Sequence, residues 1–236
     1  MSKAYIDCSA GITPQKFFAA ILDCTSDRTK ILKEMGKLCI PFQIKCKNEA
    51  KRGLKGTTIE LTSECEYGGH TVFGEIQKLV AATSLKPASK EKILFLFNKI
   101  TEAESRVHRQ AFSQVKLHEV GRPAAILSIT GIIAGMGILG IEELYASPVS
   151  LGSGKIRCSH GILSVPAPAT SELIRGIPVY YTETEGELTT PSGAAILAAF
   201  VKEFGGFPYL HVKKIGRGFA RRPGSARSQP LTIYIG

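Results

Sequence analysis

The stretch Leu151-Gly-Ser-Gly-Lys-Ile-Arg-Cys-Ser-His-Gly-Ile-Leu-Ser-Val-Pro-Ala-Pro-Ala-Thr170 combines a glycine turn, two cations, a Cys-x-His pair and a rigid Pro-Ala-Pro step. Gly152 and Gly154 have no Cβ atom, so the backbone here accepts a positive φ or lies close against a ligand. The residues that follow predict a strand, on which Lys155 and Arg157 share one face because side chains alternate. We therefore expect a turn followed by a strand with one basic face.

Cys158 and His160 occupy the opposite face of the same predicted strand. A thiolate and an imidazole together favour a thiophilic or borderline metal such as zinc, nickel or copper. The same spacing also fits a hairpin with one buried cysteine and one surface histidine, and no CxxC or HxxxH pattern lies nearby. From spacing alone, this second interpretation is favoured.

The composition is that of an ordinary globular protein with an excess of positive charge. Of the 236 residues, 44% are hydrophobic and 21% are charged, and the formal net charge is +10. Towards the C-terminus, basic residues occur without any acid, at Lys213, Lys214, Arg217, Arg221, Arg222 and Arg227. Such a patch favours an anionic partner, whether nucleotide, nucleic acid or phospholipid, although a solvated basic terminus has the same composition.

Cysteine and aspartate usage indicates the cellular compartment and limits the type of metal site that the chain can form. The six cysteines, at positions 8, 24, 39, 46, 65 and 158, form no compact disulfide framework, and the opening residues lack the apolar segment of a signal peptide. We therefore expect reduced thiols and a cytoplasmic protein. The three aspartates are Asp7, Asp23 and Asp27, so a magnesium site built on paired aspartates is not expected beyond residue 27.

Apolar periodicity predicts an α/β fold, with helices packed on a mixed sheet. The strands are expected at 4–6, 42–47, 57–66, 143–150, 155–158, 162–165, 178–181, 210–216 and 231–235. The helices are expected around 17–22 and at 29–38, 71–82, 88–110, 123–141, 169–175 and 191–200. The chain 1–236 is one region or two lobes, 1–115 and 116–236, with a break near residues 113–122.

Two element ends carry residue types that suit a ligand. Asp7 follows a short apolar strand, where an acid serves either a ligand or the cap of the next helix. Thr190 is an expected N-cap with Pro191 at the first helical position. The free N–H groups there predict either an anion site or an ordinary capped helix.

Residues 123–141 contain no charge and a Gly131-x-x-x-Gly135 spacing, which is a pattern seen in membrane helices. The stretch is only moderately apolar, because it also contains four glycines, a proline, a serine and a threonine. It has no flanking pattern of charges. A helix buried against the sheet is therefore favoured over a membrane span.

Seven short motifs occur in a defined order, and together they resemble the LarC family of nickel-insertion proteins from about residue 4 to the end. The motifs are Asp7-Cys-Ser-Ala-Gly11, Leu117-His-Glu-Val-Gly121, Tyr145-Ala-Ser-Pro148, Leu151-Gly-Ser-Gly154, Val165-Pro-Ala-Pro-Ala-Thr170, Gly186-Glu-Leu-Thr-Thr-Pro-Ser-Gly193 and Lys214-Ile-Gly216. Each motif alone is weak, and the ordered set is specific.

The resemblance implies insertion of nickel into an anionic thiolated nucleotide, pyridinium-3,5-bisthiocarboxylic acid mononucleotide, in a CTP-dependent reaction that makes the nickel-pincer cofactor. It covers the N-terminal half of the family's proteins, so a separate C-terminal half is expected to bind the CTP. It implies catalytic roles for His118 and Glu119, and metal ligation by His118, Cys158 and His160. The residues it implies for cofactor binding are Asp7, Ser9, Gly11, Ser153, Gly154, Lys155, Arg157, Thr190, Ser192 and Gly193.

The chain departs from the family pattern at Gln15, Lys116, Ala124 and Ser128, where the family usually has aspartate or, at Lys116, histidine. Loss of carboxylates lowers the affinity for a hard cation, and a lysine repels one. One alternative is therefore a non-catalytic scaffold of the same fold that binds metal or nucleotide. A basic nucleic-acid-binding module is disfavoured, because no base-reading motif occurs and the aromatics are not interleaved with the cations. An oligomer is compatible with the sequence.

Overall fold

The computed structural model describes residues 2–51, 53–65, 71–158, 161–220 and 229–236. In these ranges the strands are β1 (Ser2–Asp7), β2 (Gln43–Lys51), β3 (Leu54–Thr62), β4 (Ile141–Ala146), β5 (Val149–Ser150), β6 (Gly152–Ser153), β7 (Lys155–Cys158), β8 (Gly161–Ser164), β9 (Val179–Tyr180), β10 (Gly186–Glu187), β11 (Val201–Phe204), β12 (Lys214–Phe219) and β13 (Leu231–Ile235). The helices are α1 (Pro14–Cys24), α2 (Arg28–Gly36), α3 (Phe73–Ala81), α4 (Pro87–His108), α5 (Pro123–Ile138), α6 (Pro168–Leu173) and α7 (Pro191–Phe200).

A seven-stranded mixed sheet forms the centre of the molecule, in the order β11-β4-β1-β13-β12-β3-β2. The pairs β11–β4, β4–β1 and β12–β3 are parallel, whereas β1–β13, β13–β12 and β3–β2 are antiparallel. Three two-stranded sheets, β10–β6, β5–β9 and β7–β8, lie beside it among the described residues. The predicted α/β fold with a mixed sheet is confirmed.

Helix α1 lies directly on β12 because two glycines leave room for it. A Cβ atom at Gly216 would lie 2.1 Å from the Ala20 carbonyl oxygen, and one at Gly218 would lie 1.8 Å from that of Lys16. Both distances are far below van der Waals contact, so β12 accepts the helix only with glycine at these positions.

The two faces of the sheet are covered differently. On one face of β1, Ala4 and Ile6 are fully buried in the core shared with α1 and α5. On the other face, the Tyr5 ring packs against Phe207 at 4.7 Å between ring centroids, and Phe207 packs against Tyr234 at 5.0 Å. Aromatic pairs at these separations add to the burial energy, so Phe207 stabilises the part of the second face that bears Tyr5 and Tyr234.

Helix α5 is part of this core, and Leu127 and Ile129 on it are fully buried. No helix within the described ranges is both long enough and apolar enough to cross a membrane. The helix ends at Ile138, three residues before the predicted end, and Gly140 turns the chain into β4 with a φ of +68°. This left-handed turn explains the early end, because glycine adopts it without steric cost.

Several strand boundaries differ from the sequence prediction. The strand expected at 143–150 is interrupted after Ala146, where the Ser147 hydroxyl accepts a hydrogen bond from the Cys8 N–H at 2.8 Å. Pro148 lacks an N–H group to continue the ladder. The strand expected at 210–216 is shifted to Lys214–Phe219, where its glycines meet α1. Strand β11 was missed because it follows α7 without a turn.

Candidate functional site

A cleft of about 520 Å³ lies between α4, the segment that precedes α5, the β7–β8 hairpin and the N-terminal ends of several helices. Apolar side chains from all sides line it, among them Val107, Val120, Ile156 and Leu163. Polar and charged groups reach it from separate elements. A mostly apolar cleft with a few convergent polar groups is the usual form of a small-ligand site.

Three helices begin at the cleft with proline in their first turn. Pro14 of α1, Pro168 of α6 and Pro191 of α7 all line it. The first N–H groups of a helix have no carbonyl partner within the helix, and the helix dipole makes this end positive. The longer helices, α1 and α7, therefore present a partial positive charge to the cleft.

The predicted cap of α7 is confirmed, because the Thr190 hydroxyl accepts a hydrogen bond from the Gly193 N–H at 3.4 Å. Ser192 is the next polar residue of this helix, lines the cleft and is only 6% exposed. The hydroxyls of Thr190 and Ser192 thus lie at the positive end of the helix, where an anionic group is stabilised.

Loop contacts hold the starts of α1 and α7 together. The Thr189 hydroxyl donates to the Ser150 carbonyl at 2.7 Å and accepts from the Ile12 N–H at 3.2 Å. The Thr190 N–H donates to the Ile12 carbonyl at 3.2 Å. A Cβ atom at Gly193 would lie 2.1 Å from that same carbonyl oxygen, so this glycine serves the packing of the two helix starts.

The β7–β8 hairpin forms a second wall of the cleft. Its burial alternates as predicted: Lys155 and Arg157 are exposed, whereas Ile156 and Cys158 are half-buried. Arg157 and Cys158 line the cleft, and the cleft lining does not include Lys155. The hairpin therefore supplies one cation and one thiol. His160 lies outside the described residues.

The wall opposite the hairpin is acidic and bears imidazoles. Glu104 and His108 lie one turn apart on α4, with His108 Nε2 3.4 Å from Glu104 Oε2, and both line the cleft. The His108 and His118 rings meet edge to face at 6.4 Å between centroids. Glu119, which follows His118, also lines the cleft.

Glu104, on this wall, has a strongly perturbed pKa. Its side chain is 13% exposed, and burial raises its pKa from 4.5 to about 7, with the negative charge of Glu119 adding to the effect. A carboxyl group with a pKa near neutrality exchanges a proton readily at physiological pH.

Glu187, on β10, lines the cleft beside the start of α6. Its Oε1 atom accepts hydrogen bonds from the Ala167 N–H at 3.3 Å and from the Thr170 hydroxyl at 3.1 Å. The carboxylate therefore fixes the start of α6, and its charge also faces the cleft.

Other residues of the predicted site lie away from the cleft lining. Asp7 Oδ1 accepts a hydrogen bond from the Ser9 N–H at 2.9 Å, and Thr13, not Asp7, caps α1. A Cβ atom at Gly11 would lie 2.4 Å from the Leu188 backbone, so the loop requires glycine for packing. The Ser153 hydroxyl donates to the Thr184 carbonyl at 3.2 Å. Gly154, with a φ of +80°, forms the turn into β7.

No group of three or more His, Cys, Asp or Glu side chains among the described residues is arranged to hold a metal ion. The structure brings Glu119, Arg157, Cys158, Thr190 and Ser192 to one cleft, with His118 against His108 at its acidic wall.

Sequence reasoning missed Glu104, His108 and Glu187. The first two interrupt the apolar stripe of the predicted helix 88–110 at i and i+4, and this spacing places them on one face. That signal was available, because a titratable pair in line with buried residues is unusual. Glu187 belongs to the quoted motif Gly186–Gly193, but the motif did not indicate its role, which depends on how β10 meets α6.

Comparison with known proteins agrees with these features. Residues 4–235 match the family model described as "Nickel insertion protein". The chain is 37% identical over 219 residues to a pyridinium-3,5-bisthiocarboxylic acid mononucleotide nickel insertion protein of Desulfitobacterium hafniense, covering 92% of this chain and 54% of the relative. A protein of the same name from Staphylococcus epidermidis is 35% identical over 220 residues, covering 92% and 55%. The chain thus spans about half the length of these relatives, and no solved structure matches it.

Proposed function

The chain belongs to the nickel insertion protein family, and we propose that its cleft binds pyridinium-3,5-bisthiocarboxylic acid mononucleotide while nickel is inserted into it. The observation that carries this proposal is the mixed lining of the cleft, which combines groups that suit an anion with groups that suit a cation. Helix starts, two hydroxyls and Arg157 favour an anion. Carboxylates, the His108 imidazole and the Cys158 thiol favour a cation.

The phosphate of the nucleotide lies, in this proposal, at the N-terminal end of α7. Ser192 and Thr190 offer hydroxyls there, and Arg157 offers a guanidinium from the facing hairpin. Arginine pairs with phosphate through two parallel hydrogen bonds, which makes it the strongest cation for this purpose. The basic composition of the chain assists the approach of such an anion.

In this proposal, nickel lies between Cys158 on the hairpin and His118 and Glu119 on the acidic wall. We place the two thiocarboxylate sulfurs of the nucleotide among the nickel ligands, together with these side chains. Sulfur and imidazole donors suit a borderline-soft ion such as nickel. His160 remains a further candidate ligand.

The remaining half of the relatives' length corresponds to a second unit, which we propose as the CTP-binding partner. The chain spans 54% of the Desulfitobacterium relative, which leaves room for a domain of similar size. Two lobes, 1–115 and 116–236, stay a prediction for this chain, as does its cytoplasmic location.

The direct test is calorimetric titration of the reduced chain with the thiolated nucleotide, followed by nickel. We expect nickel to bind tightly only after the nucleotide. The Arg157→Gln variant should lower nucleotide affinity about tenfold to a hundredfold, because it removes a charge-assisted contact worth roughly 1.5–3 kcal/mol.

Lys155→Gln is the matched control, since Lys155 lies on the same face of β7 but does not line the cleft. Its affinity should stay within about twofold of the wild type, as for an exposed surface cation. Equal losses in both variants would assign the effect to overall charge, and no nucleotide binding by the wild-type chain would refute the proposed function.

A further inference from the structure

Large apolar side chains are concentrated at the surface between Phe207 and Ile215. In this segment Phe207 is 49% exposed, Tyr209 88%, Val212 42% and Ile215 44%. We call these four side chains the apolar patch. Single exposed apolar residues are common on protein surfaces, whereas a cluster of large ones is typical of an interaction site.

The apolar patch is attached to β13, a central strand of the sheet. The Phe207 ring packs against Tyr234 of this strand, and Ile215 on β12 lies directly opposite Tyr234. Between them, the Lys213 N–H donates a hydrogen bond to the Ile235 carbonyl at 2.7 Å. These contacts hold the exposed side chains in position before any partner binds, which lowers the entropy cost of binding.

The segment that carries the apolar patch has positive charges and no acid between residues 204 and 220. Arg217 lies two residues after Ile215 on β12, and the exposed Lys213 lies two residues before it, so alternation places both on the side of Ile215. A complementary partner surface is apolar at its centre and acidic at its margin. A second copy of this chain would instead bring like charges together. The aliphatic side chain of Val212 gives a nucleic-acid base no ring to stack on.

The location of the apolar patch identifies a partner of this kind. Gly236, directly after β13, lies against the backbone of His211, because a Cβ atom at Gly236 would lie 2.2 Å from the His211 carbonyl oxygen. The chain spans 54% and 55% of two relatives, so each of them has a further unit of similar size. A unit that follows β13 begins next to the patch, where a short connection gives it a high effective concentration.

We propose that the apolar patch is the docking surface for the second unit, the one that makes up the remaining length of the relatives. This inference rests on the proposed function, which assigns CTP binding to that unit. Docking covers the four apolar side chains and pairs carboxylates of the second unit with Lys213 and Arg217. None of the four side chains lines the cleft, so the second unit docks without closing the nucleotide site.

Hydroxyl-radical labelling of side chains, read by mass spectrometry, tests this inference in whole proteins. The chain is compared with a chimera in which it replaces the matching region of the Desulfitobacterium hafniense relative. Labelling of Tyr209 should be about fivefold lower or less in the chimera, because a docked unit excludes water from it. Tyr181 is the internal control: it is 65% exposed and is followed by the exposed acids Glu183 and Glu185. Its labelling should stay within about twofold, since most docking leaves the rest of a protein unchanged.

A charge reversal in the chimera tests the role of the cations. Lys213→Glu should restore at least about half of the Tyr209 labelling, because it sets an acid against the acidic margin of the second unit. Lys55→Glu is the matched control, since it makes the same change at an exposed position of β3 and should leave Tyr209 protected. Equal restoration by both variants would assign the effect to overall charge and contradict docking at the patch.

The outcomes keep the docking surface and the proposed function apart. Equal labelling of Tyr209 in the chain and in the chimera refutes the docking surface. Protection of Tyr209 in the isolated chain also refutes it, whether by dimer formation in analytical ultracentrifugation or by added single-stranded DNA. Nucleotide and nickel binding are decided separately by calorimetry, because the patch is not part of the cleft. A chain that binds both ligands while Tyr209 stays unprotected in the chimera loses the docking surface alone, and the reverse result overturns the proposed function alone.

Discussion

The two walls of the cleft are supported in opposite ways. Helix α4 is 22 residues long, and Phe97 and Ile100 on its inner face are fully buried. The β7–β8 hairpin forms its own two-stranded sheet, and Ile162 on it is 62% exposed. The α4 wall is therefore part of the hydrophobic core, whereas the hairpin wall lies at the edge of that core.

This difference in support indicates that the two walls suit different roles in ligand binding. Groups whose distances must stay fixed benefit from a rigid wall, as α4 offers to Glu104 and His108. Groups that capture and release a ligand profit from a wall of lower local stability, as the hairpin offers to Arg157 and Cys158. We expect the hairpin to show faster hydrogen exchange than α4, and to gain protection when the nucleotide binds.

The largest contrast should come from apolar substitutions in the two walls. Phe97→Ala should destabilise the chain by about 3–5 kcal/mol, because it leaves a cavity under α4. Ile162→Ala should change the free energy of unfolding by less than about 0.5 kcal/mol, as for most surface positions. Urea denaturation of both variants measures this, and a similar cost for both would contradict the division into a core wall and a marginal wall.

A smaller effect should follow from the titration of Glu104. Its pKa is raised on folding, so its contribution to stability is present below pH 4.5 and lost as the pH rises through 7. Glu104→Gln does not titrate, so its stability relative to the wild type should rise between pH 5 and pH 8, by up to about 3 kcal/mol. Urea denaturation at the two pH values checks this, with Glu102→Gln, at an exposed position of the same helix, as a control that should show no such rise.

The smallest contrast concerns two glycines. A Cβ atom at Gly193 would meet the Ile12 carbonyl oxygen at 2.1 Å, whereas nothing lies within 4 Å of one at Gly154. Gly193→Ala should therefore cost about 3 kcal/mol through overpacking. Gly154→Ala should cost about 1 kcal/mol, through its φ of +80° alone. Thermal unfolding of the pair distinguishes them, and equal costs would mean that the helix starts can separate easily.

The sequence predicted the parts of the fold that depend on local patterns. The stripe at Ile93, Phe97 and Ile100 located α4, and Thr190 with Pro191 located the start of α7, because these signals lie within a few residues. The packing of Phe207 on the sheet was missed, since it depends on a contact with Tyr5, far away in the chain.

The candidate site was predictable to a smaller extent for the same reason. Alternation on β7 placed Arg157 and Cys158 on opposite faces, whereas in the structure both line the cleft. Asp7 and Gly11 belong to conspicuous motifs, yet their neighbours are backbone groups of turns. A motif indicates that a particular residue type is required at a position. The packing in the structure then shows whether that residue contacts a ligand or supports the fold.

The position of β13 has a consequence for local unfolding. This strand, Leu231–Ile235, lies between β1 and β12, so these two strands belong to one sheet only through it. A molecule in which β13 has come away would expose β1 and β12 as unpaired edges, which favour aggregation. The central place of β13 therefore protects two strands at once.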